Sequence, residues 1–164
     1  MNRRAAIRMT DEEALAFLDE QKTVICATHG HDGWPHLMPL WFVVRDSQPT
    51  SSAGTSGTLW AWTYAKSQKA KNLERDPRAT LQVEAGEAYA ELRGLMLRTE
   101  AVLHREPEVV EGFVEELAPR YAPPGADPEA MREGFRAQVP KRVAIEFAER
   151  SRVSWDHRKL GGAY

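Results

Sequence analysis

A chain of 164 residues, 42% hydrophobic and 28% charged, has the size and composition of one soluble globular domain spanning 1–164. A formal net charge of −2 argues against nucleic acid as a partner, and no apolar run approaches the roughly 20 residues a membrane helix needs. The single cysteine, Cys26, excludes an intramolecular disulfide, and the basic start Met1–Arg8 lacks a signal peptide's apolar stretch, so a cytoplasmic protein without membrane contact is expected.

The first element is a helix over 10–20, where Thr10 and Glu13 make a capping box and Ala14, Leu15, Phe17 and Leu18 form an apolar face. A β-rich run over 23–28 leads through the turn residues His29 to Pro35 into a second strand, His36 to Val44, which Pro39 interrupts. Residues 46–57 read as a loop rich in Ser, Thr and Gly. A third strand (58–63) and a short basic helix (67–75) follow, then strands over 79–84 and 89–104, the latter bent at Gly94. Two helices, 106–121 and 128–137, place a helical insertion at 122–138 before the last strand, 142–147. Antiparallel strands joined by hairpins, with helices inserted late, predict an α+β fold dominated by β. A six-stranded antiparallel β-barrel would leave no exposed sheet edges.

The basic helix is the best candidate for chemistry. Ser67 is a suitable N-cap, and the segment 66–75 carries Lys66, Lys69, Lys71 and Arg75 against one carboxylate, Glu74. Positive side chains in a helix's first turn oppose its dipole unless an anion offsets them, so the pattern fits a phosphate site as well as a solvated face. The glycines of a Walker loop or a dinucleotide fingerprint are missing. His29, His31 and His36 crowd one hairpin without completing a familiar ligand set, and no metal site is assigned. Cys26 sits among Val24, Ile25 and Ala27 and reads as a buried structural thiol. No nucleophile elbow is present, and Glu12-Glu13 and Glu115-Glu116 read as solvated helix faces, so no catalytic residue is assigned. Five tryptophans suit core filling or dimer contacts equally with stacking on a planar ligand, and Trp62, at a strand end beside the basic helix, fits either role.

Several pieces occur in a telling order: His36-Leu37-Met38-Pro39-Leu40-Trp41, Trp62-Thr63, Ser67 to Leu73, Asp76-Pro77-Arg78, Lys141 to Ala144, and Trp155-Asp156. In this order the chain resembles the pyridoxamine 5′-phosphate oxidase-like flavin-binding split-barrel superfamily, in particular its flavin- and deazaflavin-dependent oxidoreductase branch. The resemblance covers residues from about 10 to 160 and implies a six-stranded split barrel acting as a homodimer, with cofactor at the subunit interface. It implies that His36, Leu37, Met38 and Pro39 line a flavin or deazaflavin ring, with Trp62 and Thr63 beside the ring and phosphate chain. Lys69 matches the family's phosphate-binding lysine, supported by Ser67, Gln68 and Asn72. Gln68 stands where vitamin B6 oxidases have arginine, and their arginine-rich C-terminal signature is missing, so that activity is not expected. The Lys69-x-x-Asn72 pattern, with Lys66, Lys71 and Arg75 available for an acidic tail, favours F420 over FMN. The implied activity is hydride transfer to or from a small organic substrate. The alternative is a non-catalytic flavin, F420 or haem carrier of the same fold, with His104 or His157 as conceivable iron ligands.

Overall fold

The computed structural model describes residues 3–46 and 57–161; most of the loop expected at 46–57 therefore lies outside the described residues. A short helix α1 (Arg3–Ala6) precedes α2 (Asp11–Glu20). The expected capping box opens α2: Thr10 Oγ1 accepts from the Glu13 amide at 3.2 Å, and Glu13 Oε2 accepts from the Thr10 amide at 2.7 Å. Among the described residues no helix is long and apolar enough to cross a membrane.

Among the described residues seven strands follow, all antiparallel: β1 (Val24–His29), β2 (Pro35–Leu40), β3 (Phe42–Asp46), β4 (Gly57–Tyr64), β5 (Arg78–Ala85), β6 (Arg93–His104) and β7 (Arg142–Asp156). Their order in the sheet is β2-β1-β5-β6-β7-β4-β3. The first and last strands in that order are joined by a single residue, Trp41. One residue spans at most about 3.6 Å, so the two ends of the sheet must meet. The sheet is therefore curled into a barrel.

The expected strand 36–44 is thus two strands, and the barrel has seven strands rather than six. The reason is tertiary. Residues 35–40 pair with β1, whereas 42–46 pair with β4, so the chain changes neighbours at Trp41. Tyr121 fixes the change, because its hydroxyl accepts from the Phe42 amide at 2.8 Å while its ring stacks on Trp41 at 4.4 Å. Tyr121→Phe leaves that amide without its partner, so a loss of about 1–3 kcal/mol in urea unfolding is expected. An unchanged midpoint would show that the hydroxyl does not hold the joint.

Two apolar clusters hold the fold. Inside the barrel lie Phe17, Val24, Cys26, Phe42, Leu81, Leu95, Ile145 and Phe147. On the outer face, α4 (Pro107–Tyr121) packs Val110, Phe113, Val114 and Leu117, at helical spacing, against Val43, Trp62 and Ala144. The helix α5 (Pro128–Arg136) brings Phe135 to the edge of this second cluster. The last strand runs well beyond the expected 142–147. Its polar second half is held against β6 across a register shift at Arg98/Thr99, and Arg150 pairs with Glu100 at 2.5 Å.

Candidate functional site

The register of the strands leaves one gap in the barrel. β3 covers β4 only as far as Ala61, so Trp62, Thr63 and Tyr64 have no strand partner on that side. β2 pairs with β1 alone. The basic helix α3 (Gln68–Arg75) follows β4 after three intervening residues and packs against β1, β4 and β6.

Ser67 caps α3 as expected, accepting from the Ala70 amide at 3.2 Å and sharing a 3.1 Å hydrogen bond with Thr63 Oγ1. The face of α3 turned inward carries Lys69, Ala70, Asn72 and Leu73, whereas Lys66, Lys71 and Arg75 are exposed. Asn72 is fully enclosed and ties α3 to β1: it accepts from Gln68 Nε2 at 2.8 Å and donates to Thr28 Oγ1 at 3.0 Å. Thr28 is the register partner of His36, so α3, β1 and β2 are fixed relative to one another. Arg75 reinforces the link by donating to the His29 carbonyl.

Lys69 is only 4% exposed, yet its ammonium has no hydrogen bond or ion pair among the described residues. Burial pushes its pKa down. The neighbouring Cys26 thiol is buried as expected, and burial pushes it up to about 12, so it remains a neutral apolar filler. The amides of Gln68 and Lys69, at the positive end of α3, are likewise unbonded among the described residues. His36 adds a third orphan, a buried Nδ1 without a partner. A buried cation and free helix amides are the donors a phosphate group requires, so the residues present fit a phosphate-bearing cofactor.

Of the ten residues expected to bind cofactor, His36, Leu37, Met38 and Pro39 form the uncovered β2 edge. Thr63, Ser67, Gln68, Lys69 and Asn72 form the opposite side. Leu37 and Met38 are 55% and 45% exposed, and Pro39 is exposed beside them. Trp62 differs. Its side chain is 7% exposed and lies in the cluster under α4, with Phe113 and Phe135 ring centroids at 6.0 and 5.4 Å. Its backbone, rather than its indole, borders the gap.

Two residues near this corner carry no site role in the sequence, although Arg142 lies in the Lys141–Ala144 piece of the resemblance. Thr28 anchors Asn72 from 44 residues away. Arg142 reaches the same corner because β7 sets it opposite Tyr64. Pairing between distant strands brings both in, and local spacing does not encode that. The imagined iron ligands are engaged elsewhere. His104 Nε2 lies 3.0 Å from Glu146 Oε2 and its ring stacks on Trp60, while His157 Nδ1 lies 3.0 Å or less, at 2.9 Å, from the Tyr89 carbonyl oxygen.

Comparison with known proteins agrees with this architecture. The family model described as pyridoxamine 5′-phosphate oxidase matches residues 10–148. A crystal structure of a conserved hypothetical protein from Mycobacterium tuberculosis is 37% identical, with a TM-score of 0.83 over 98% of this chain and 93% of that one. An F420 reductase is 21% identical (TM-score 0.59; 84% of this chain, 93% of that one). The haem storage protein of Vibrio cholerae is 17% identical (TM-score 0.65; 87% of this chain, 93% of that one). These last two likenesses show a shared fold. No curated protein matches the sequence significantly. The barrel, its gap and the family match together place the chain in the pyridoxamine 5′-phosphate oxidase family, with the split-barrel fold of that superfamily.

Proposed function

We propose that this protein is a flavin-type oxidoreductase that binds F420, with FMN as the alternative, and passes hydride to or from a small organic substrate. The observation that carries the reading is Lys69, a buried ammonium without a counter-ion at the capped head of α3. When bound, the cofactor's ring supplies the redox chemistry. The chain's own residues would bind and orient it: Lys69 and the first amides of α3 would hold the phosphate, and the uncovered backbone of β2 and of Thr63 would be available to the ring. F420 is favoured because exposed Lys66 and Lys71 are available to an acidic tail. Gln68 is tied to Asn72 and brings no charge.

The reading includes a cytoplasmic homodimer. Ile25, Leu37 and Pro39 share the outward face of the β1–β2 edge and leave an exposed apolar strip there, which a second copy would cover. The experiment is a spectroscopic titration of the purified protein with F420, FMN and haem, run alongside light scattering. Saturable binding of F420, tighter than FMN, to a dimer is expected. Binding of haem alone would favour the carrier alternative, and binding of none would sink both readings.

A further inference from the structure

Two cations lie near the head of α3, close enough for the charge of one to act on the other, and neither has a carboxylate counter-ion among the described residues. Lys69 is one. Arg142, the first residue of β7, is the other. Strand pairing sets Arg142 opposite Tyr64, and the Ala65 amide donates to the Lys141 carbonyl at 2.9 Å, so the turn into α3 is tied to the start of β7. The Arg142 guanidinium lies 3.6 Å from the Tyr64 ring centroid and 4.6 Å from that of Trp62. Its Nη2 donates to Gln138 Oε1 at 2.5 Å and it also hydrogen-bonds the Tyr64 side chain, both neutral partners, while its Nε is buried with no partner. Other partly buried arginines are treated differently: Arg45, Arg93, Arg120 and Arg152 each have a carboxylate within 3.0 Å. Burial lowers the pKa of both Lys69 and Arg142, and the charge of Arg142 lowers Lys69 further. Two unmatched like charges oppose folding unless an anion compensates them.

We propose that Arg142 is a second anion-binding residue of this site and, with Lys69, selects ligands that present two negative charges at the head of α3. The inference rests on the reading of this corner as a phosphate site and deepens it. The matching chemistry is a phosphate monoester dianion, as in FMN, or a phosphodiester with an adjoining carboxylate, as in the tail of F420. A neutral ligand with the same ring system lacks both charges.

The test compares two matched pairs, FMN against riboflavin and F420 against its neutral deazaflavin precursor, by fluorescence titration of wild type, Arg142→Gln, Arg142→Met and Arg142→Lys. The Gln and Met variants are expected to bind the charged member of the favoured pair at least tenfold more weakly and the neutral member within twofold of wild type. Arg142→Lys should keep most of the affinity. Which pair responds identifies the source of the charges. If the Gln and Met variants discriminate as wild type does, or if Arg142→Lys falls as far as they do, the proposal is overturned. Should neither neutral variant fold, displacement from wild type decides: inorganic phosphate at pH 8 should compete at least tenfold better than the monoanion dimethyl phosphate, and equal competition overturns the proposal. Failure of wild type to bind any of the four ligands would instead bring down the phosphate-site reading itself.

Discussion

Lys69→Met is expected to make the ligand-free protein more stable while weakening its hold on a phosphate-bearing cofactor by roughly ten- to a hundredfold. Both effects follow from one circumstance, an ammonium that is 4% exposed and has no partner among the described residues. Methionine keeps the length of the side chain and removes the charge, so the folded state no longer carries an unmatched buried cation. The gain should be about 1–3 kcal/mol, equivalent to about 2–4 °C in melting temperature per kcal/mol for a chain of this size. The sign with pH is also fixed. The folded pKa of Lys69 lies below the ordinary value of 10.5, so the unfolded chain holds this proton more tightly. Stability of the ligand-free wild type should therefore rise with pH between the lowered folded value and 10.5, a rise that Lys69→Met should lack. Calorimetry across that range checks it. A Met variant less stable than wild type would mean that the ammonium already has a partner and the anion argument fails.

The second large effect concerns Trp62. Trp62→Ala should cost about 3–5 kcal/mol, because the indole fills the cluster under α4 among Phe113, Phe135 and the Arg142 guanidinium. Trp62→Phe keeps an aromatic ring there, so the loss in the urea midpoint should be much smaller. Cofactor affinity should then stay within about twofold of wild type, since the indole itself lies in the helix cluster and phenylalanine keeps a ring beneath the Arg142 guanidinium. The opposite pattern, full stability with affinity lost tenfold, would show that the indole touches the cofactor.

These two residues mark the limits of what is legible in the chain. Local chemistry survives translation into structure: the capping box at Thr10 and Glu13 and the cap at Ser67 are both formed as expected, each from a spacing of three residues. Cys26 among apolar neighbours is buried in the barrel interior. Lys69 could be singled out because its charge opposes a helix dipole, but its burial depends on the strands that α3 covers. Trp62 could not be decided from sequence, since alternation along β4 gives two faces without saying which lies under a helix. The break at Trp41 was equally hidden, because its cause is a hydroxyl 79 residues away from Phe42. In β7, Glu149, Arg150 and Arg152 resemble a polar tail, and their place in a strand comes from backbone pairing with the long β6, a partner some fifty residues away in sequence.

The single-residue joint at Trp41 also limits how such a barrel can diverge. β2 and β3 belong to opposite ends of the sheet yet share one covalent link, so the width of the gap is set by chain geometry. Inserting one residue there would exchange the inward and outward faces of every position in β3, sending Phe42 outward and Val43 inward. Insertions and deletions at this point are therefore expected to be purged. Exchanging side chains along β2 would alter the gap with less disturbance to the β3–β4 register than changing the length of the joint.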